Sequence, residues 1–292
     1  MSLGAQSIPM PPQIPSEPLP RAAYGEMLRA NMRADFTFYR RSRLLLAFAI
    51  VFLLISVLVM LPTFFSDSRV EHFNTLRQIF DTLTFNIEIL SGGLGLFLVS
   101  SHLRNRSLKM VFTKPCPPGL WLASAFLSAA FVSFLLTAGV LLSTVALSLW
   151  WHVPVRAGLL FLSLHSFVIS LIIIGYTLLL GTLVHPALAV AVILIFNEAS
   201  FFSAQEWAQA VIRSANGHAH LGIRILEKFF YVIYLAAPTY EPFKNKFQTV
   251  DTSYRASAGE WKYLLYSAGY VLVLWAFCYF VALFALRRKR HI

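Results

Sequence analysis

Gly158 to Val184 reads GLLFLSLHSFVISLIIIGYTLLLGTLV, a run without a single Asp, Glu, Lys or Arg. At 1.5 Å of rise per residue, such a run is long enough to cross about 30 Å of hydrocarbon as a helix, and a lone segment in lipid satisfies its backbone polar groups only by being helical. The further expected spans, in chain order, are Leu44–Leu61, Ile79–Ser101, Gly119–Leu149, Ala187–Phe202, which is the shortest, and Tyr263–Leu286. The expected fold is an all-α integral membrane protein with six transmembrane helices in one domain, residues 44–290.

Composition agrees. Hydrophobic residues make up 58% of the chain and charged residues 13%, against about a quarter charged in a soluble domain, which excludes an ordinary soluble globule. The net charge of +11 does not mark a nucleic-acid binder, because the arginines gather where apolar runs end, as anchors at a lipid surface do. Membrane lipids are the expected partners, and nucleic acid is not.

The basic residues also orient the spans. Arg29, Arg33, Arg40, Arg41, Arg43, Arg104, Arg106, Lys109, Lys114, Arg287, Arg288, Lys289 and Arg290 fall on one side, against Arg69, Arg77 and Arg156 in the short loops opposite. The rule that short cytoplasmic loops are rich in Lys and Arg puts the first group, and both termini, in the cytoplasm of a multi-pass protein of the cell (inner) membrane.

Outside the spans, residues 1–23 are proline-rich and carry no apolar core of the kind a cleaved leader has, so a disordered segment is expected and Leu44–Leu61 should act as an uncleaved anchor. Over residues 24–43, Tyr24, Leu28, Met32, Phe36 and Tyr39 recur at helical spacing with arginines on the remaining circumference, which predicts an amphipathic helix along the cytoplasmic surface. The outer loop 203–262 contains Ile225–Ala237, apolar but broken at Glu227 and Lys228. Counted as a seventh span it would send the RRKR tail outside, so an interfacial or re-entrant helix on the outer face is expected.

Few motifs carry chemistry. Leu90-Ser91-Gly92-Gly93-Leu94 nearly spells the LSGGQ signature of ATP-binding-cassette ATPases, but it sits inside an apolar span where phosphate does not reach. Ser91 and Gly95 form a small-xxx-small pair, the pattern that lets two helix backbones approach. No glycine is followed by lysine, which excludes the phosphate-cradling GxxxxGK(S/T) loop. GxSxG and HExxH are absent, and His218 with His220 forms an HxH without a third ligand set by spacing. No catalytic residue, cofactor or metal is therefore expected. Glu88, beside Asn86 within the second span, is costly to expose to lipid and should face a cavity or a partner helix. Asn86 and Glu88 are the candidate residues of a translocation path. Glu198, beside Asn197, suits a structural role near the outer interface, and His165 and His185 suit packing.

The loop between the second and third spans runs Arg104-Asn105-Arg106-Ser107-Leu108-Lys109-Met110-Val111-Phe112-Thr113-Lys114-Pro115, with Trp121-Leu122 opening the next span. It resembles the permease family of exporter-type (ABC-2-like) ATP-binding-cassette transporters, in which this loop holds a short helix with a Thr-Leu pair followed by proline. Ser107-Leu108 and Pro115 stand at those places. Tyr231-Val232-Ile233-Tyr234-Leu235-Ala236-Ala237-Pro238 is similar to the apolar stretch that ends the family's outer loop.

The resemblance implies a permease subunit without its own ATPase, paired with a second copy or a related permease and driven by cytoplasmic ATPase subunits. It also implies that Arg104, Arg106, Ser107, Leu108, Lys109, Met110, Val111, Phe112, Lys114 and Pro115 form the coupling helix that an ATPase grips. The competing readings are a membrane-embedded lipid-modifying enzyme using Glu88 or His165, and a non-catalytic scaffold or sensor that binds a partner through loop 203–262.

Overall fold

A computed structural model describes residues 21–41, 69–104, 117–153, 158–185, 198–214, 221–236 and 257–289, together with residues 43, 47, 50, 54, 57, 58, 188 and 189. Among the described residues all regular structure is helical: α1 Arg21–Arg41, α2 Arg69–Arg104, α3 Pro118–Trp150, α4 Gly158–Leu183, α5 Glu198–Ser214, α6 Leu221–Ala236 and α7 Ala258–Lys289. Four of them contain segments long and apolar enough to cross a membrane, namely His72–Ser100, Pro118–Trp150, Gly158–Leu183 and Ala258–Arg288. The chain is thus a multi-pass membrane protein, all-helical among the described residues. The expected first span lies outside the described residues except for residues 47, 50, 54, 57 and 58, which are helical. The fifth also lies outside them, apart from residues 188 and 189 and the start of α5.

Local chemistry sets the helix ends. Pro118 opens α3 at a position where its missing N–H has no intrahelical partner to lose. After Trp150 the chain turns at His152 (φ 51°), and the turn is closed by Val153 N–H to Ser148 O at 3.0 Å and Ser148 Oγ to Val153 O at 2.7 Å. Helix α7 begins with a reciprocal cap in which Ser257 N–H donates to Glu260 Oε2 (2.6 Å) and Glu260 N–H donates to Ser257 Oγ (3.3 Å). That cap starts the last helix at Ala258, five residues before the apolar run. Helix α2 likewise starts at Arg69 rather than Ile79, and its added turns pair with α3 through His72 stacked on Trp151 at 5.3 Å.

Contacts fix the helix directions. Glu88 meets Ser166, Gly92 and Gly95 meet Thr177, and Val99 meets Gly181, so α2 and α4 run parallel. Phe161 meets Trp261 at 5.1 Å and Gly175 sits against Trp275, so α7 runs with them. Helix α3 runs against all three, with Ser91 opposite Ser133, Phe126 against Trp275 and Gly119 against Tyr279. Arg104, Leu183 and Lys289 therefore share one end of the bundle with Pro118, and His72, Trp151, Gly158 and Trp261 share the other.

The outer surface is apolar. Leu265, Leu272, Val273, Phe277, Phe280 and Phe284 of α7 are all more than 60% exposed, an apolar surface that hydrocarbon, rather than water, accommodates. Helices α5 and α6 pack chiefly against each other, joined by Gln209 Nε2 to Glu227 Oε1 at 3.4 Å. The stretch expected as loop 203–262 is thus helical over much of its length, and the expected helix at Ile225–Ala237 is present as Leu221–Ala236.

Candidate functional site

Two buried polar clusters stand out in a bundle whose serines and threonines mostly satisfy themselves. Ser91, Thr137, Thr144 and Ser163 each donate to the carbonyl four residues back, at 2.7–2.9 Å, the usual way a hydroxyl is accommodated in an apolar helix. Ser91 and Ser133 additionally share a hydrogen bond of 2.8 Å that ties α2 to α3. The glycines on the same stretch face elsewhere. A Cβ on Gly92 would lie 2.9 Å from Ile173 Cγ2, and one on Gly95 would lie 2.6 Å from Thr177 Oγ1 and 3.6 Å from the Ile174 carbonyl. Ser91 therefore packs toward α3 and Gly92, with Gly95 beyond it, toward α4, while a Cβ on Gly93 would meet nothing within 4 Å.

The first polar cluster lies between α2 and α4. Glu88 is 8% exposed and accepts a hydrogen bond from Ser166 Oγ at 3.3 Å. His165 and Ser166 are buried, and one turn further on Ser170 is fully buried with its Oγ making no hydrogen bond among the described residues. Asn86 does not join this group: half-buried, it donates through Nδ2 to Thr82 O of its own helix at 2.7 Å.

The second cluster joins α1 to the bundle. Asp35 is 3% exposed and accepts from Ser128 Oγ at 3.0 Å. Burial pushes its carboxyl up to about 6 from 3.8, a rise that hydrogen bonds from Ser128 and Ser124 partly offset. One turn later Tyr39, fully buried, donates its hydroxyl to the Leu94 carbonyl of α2 at 3.2 Å. Burial, with the negative charge of Asp35 as a lesser cause, raises the Tyr39 pKa. Phe36 against Phe131 and Phe38 against Phe97 complete the contact. The amphipathic stripe of α1 thus packs on the halves of α3 and α2 nearest the Arg104 end. Asp35 lies between Met32 and Tyr39 on that stripe, and an acid on an apolar face is the sequence signal that marks this cluster.

Of the residues expected to couple to an ATPase, Arg104 is the last residue of α2. Arg106, Ser107, Leu108, Lys109, Met110, Val111, Phe112, Lys114 and Pro115 lie outside the described residues, as do His218 and His220. Glu198 opens α5. Among the described residues no three His, Cys, Asp or Glu side chains gather as a metal site. The fold and the two buried clusters define a multi-pass helical membrane protein with acids held inside its protein interfaces. No family model, no curated protein and no solved structure matches the chain.

Proposed function

We propose that the protein is the permease subunit of an exporter-type ATP-binding-cassette transporter, crossing the membrane six times and driven by separate cytoplasmic ATPases. The observation that carries this reading is the shared direction of α2, α4 and α7. Their C-terminal ends bring Arg104, the start of the coupling segment, to the same end of the bundle as Arg287, Arg288 and Lys289. The clustering of basic residues at that end supports a cytoplasmic face there, and the docked α1 lies toward it.

Crossing parity supports six spans. Helix α1 packs near the basic end while α2 begins at the opposite one, so an odd number of crossings separates them, and Leu44–Leu61 supplies one. The chain leaves α4 at the basic end and re-enters α7 at the opposite end, which again calls for an odd number, and Ala187–Phe202 supplies one. The exposed apolar rows of α3 and α7 suit lipid or a second permease copy.

In this mechanism ATP-driven closure of the ATPases pushes on segment 104–115 and on α1, and the bundle shifts as rigid bodies between inward- and outward-facing packings. A segment wedged in a partner's groove transmits force through buried apolar side chains, here Leu108, Met110, Val111 and Phe112. The test asks whether a neighbouring reading frame encodes an ATPase bearing GxxxxGK(S/T) and LSGGQ, and whether that ATPase, co-expressed, co-purifies with this chain. Leu108→Asp and Phe112→Asp should each lower recovery at least tenfold with membrane insertion intact, and unchanged recovery in both variants would refute the proposal.

A further inference from the structure

Residues 215–220 join α5 to α6, and Gln209 and Glu227 bond to each other at nearly equal distances from that connection, the register of an antiparallel hairpin. Ala208 and Ile212 on α5 and Ile223 and Phe230 on α6 are drawn in from the exterior and mark the seam. Side chains follow one another round a helix at about 100° per residue. From the edge of the seam that holds Gln209 and Glu227, the next positions round are Arg213 and Glu206 on α5 and Arg224 and Lys228 on α6, all exposed. From the opposite edge they are Val211 and Trp207 on α5 and Leu226, Phe229 and Ile225 on α6. Because the helices run antiparallel, both polar edges fall on one side of the hairpin and both apolar edges on the other. Trp207, Ile225 and Phe229 are 58, 60 and 55% exposed, and the two helices pack chiefly on each other, so the bundle leaves the apolar side open.

We propose that the α5–α6 hairpin is a lipid-docking unit that lies flat on the membrane surface, with Trp207, Ile225 and Phe229 among the acyl chains of phospholipid and Arg213, Arg224 and Lys228 on the side toward water. The hairpin starts at a membrane border, because Glu198, the first residue of α5, falls inside the expected span Ala187–Phe202. Separation of Trp, Phe and Ile from Lys and Arg across one structural unit suits the boundary between headgroups and acyl chains, and Trp is a residue favoured at that boundary. The charges of the two helices cancel, Glu198, Glu206 and Glu227 against Arg213, Arg224 and Lys228. Apolar insertion therefore drives the docking, and a zwitterionic phospholipid surface suffices. No step involves an ATPase, so failure of the co-purification above leaves the docking untouched.

The test is electron paramagnetic resonance of the full-length protein in phosphatidylcholine vesicles, with single nitroxide-labelled cysteines in a Cys116→Ser, Cys278→Ser background. Trp207→Cys, Ile225→Cys and Phe229→Cys sample the apolar side, and Arg213→Cys, Arg224→Cys and Lys228→Cys the polar one. Collisions with oxygen, which concentrates in lipid, are compared with collisions with a neutral nickel chelate, which stays in water. The oxygen-to-nickel ratio should be at least about threefold higher on the apolar side, as expected for immersion by about 5–10 Å. Leu226→Cys replaces any apolar-side variant that fails to fold. Equal ratios on the two sides would overturn the proposal, since both low means a hairpin in water and both high means a re-entrant or spanning segment. An apolar side shielded from both reagents would overturn it in favour of a protein contact, such as a second copy of the chain. A difference between the sides that emerges only when anionic phospholipid is added would overturn it as well.

Discussion

Asp35 offers the sharpest energetic prediction. Its carboxyl is held at about 6 in the folded protein against 3.8 for an unperturbed aspartate, a difference of about 2 units or about 3 kcal/mol at roughly 1.4 kcal/mol per unit. The folded pKa is the higher one, so the folded state binds this proton more tightly. The contribution to stability is complete below pH ~4 and is lost as the pH rises through ~6. At pH 8 the folded protein therefore carries a buried carboxylate that opposes the docking of α1. Asp35→Asn keeps an acceptor for Ser124 and Ser128 but removes the charge. It should be more stable than the parent by up to about 3 kcal/mol at pH 8, or roughly 6–12 °C in unfolding midpoint, and within about 0.5 kcal/mol of it at pH 4. Thermal unfolding from pH 4 to pH 8 measures this, and hydrogen exchange over residues 24–39 shows whether α1 loosens first. An asparagine variant with no gain at pH 8, or one whose midpoint falls with pH as steeply as the parent's, would refute the reasoning.

Three further substitutions test the packing of the bundle and the docking of α1. Gly95→Val should lower stability by at least about 1–3 kcal/mol, since a Cβ there would lie 2.6 Å from Thr177 Oγ1. Gly139→Ala, where a Cβ meets nothing within 4 Å, should be neutral or stabilising by up to about 1 kcal/mol, and resistance to SDS unfolding compares the pair. Tyr39→Phe removes the hydroxyl that reaches the Leu94 carbonyl. It should cost about 0.5–1.5 kcal/mol and speed amide exchange in the last turns of α1.

Four of the spans were legible because hydrocarbon imposes a length and a composition, and Gly119–Leu149 and Gly158–Val184 match α3 and α4 to within a residue at either end. The first turns of α2, RVEHFNTLRQ, were not, because they lie before the apolar run and are held by tertiary contact such as His72 on Trp151. The capping pair Ser257 and Glu260 was available to sequence reading and marks the start of α7. Glu88 announced itself as a charge inside a span, but Ser166 and Ser170 did not. Which serine of α4 faces α2 depends on helix rotation and register, and the glycine contacts fix both. Ser91 and Gly95, one interface by their spacing, serve two neighbours because a face of α2 roughly 50–100° wide can touch both α3 and α4.

The account turns on which side of the membrane holds segment 104–115. In a Cys116→Ser, Cys278→Ser background, Lys109→Cys puts a single thiol in segment 104–115 and Trp150→Cys puts one at the end of the bundle opposite Arg104, and a membrane-impermeant maleimide reports their access in intact cells. Trp150→Cys should react from outside and Lys109→Cys only after the membrane is opened. Labelling of Lys109→Cys in intact cells would put the segment beyond the reach of any cytoplasmic ATPase and contradict the account.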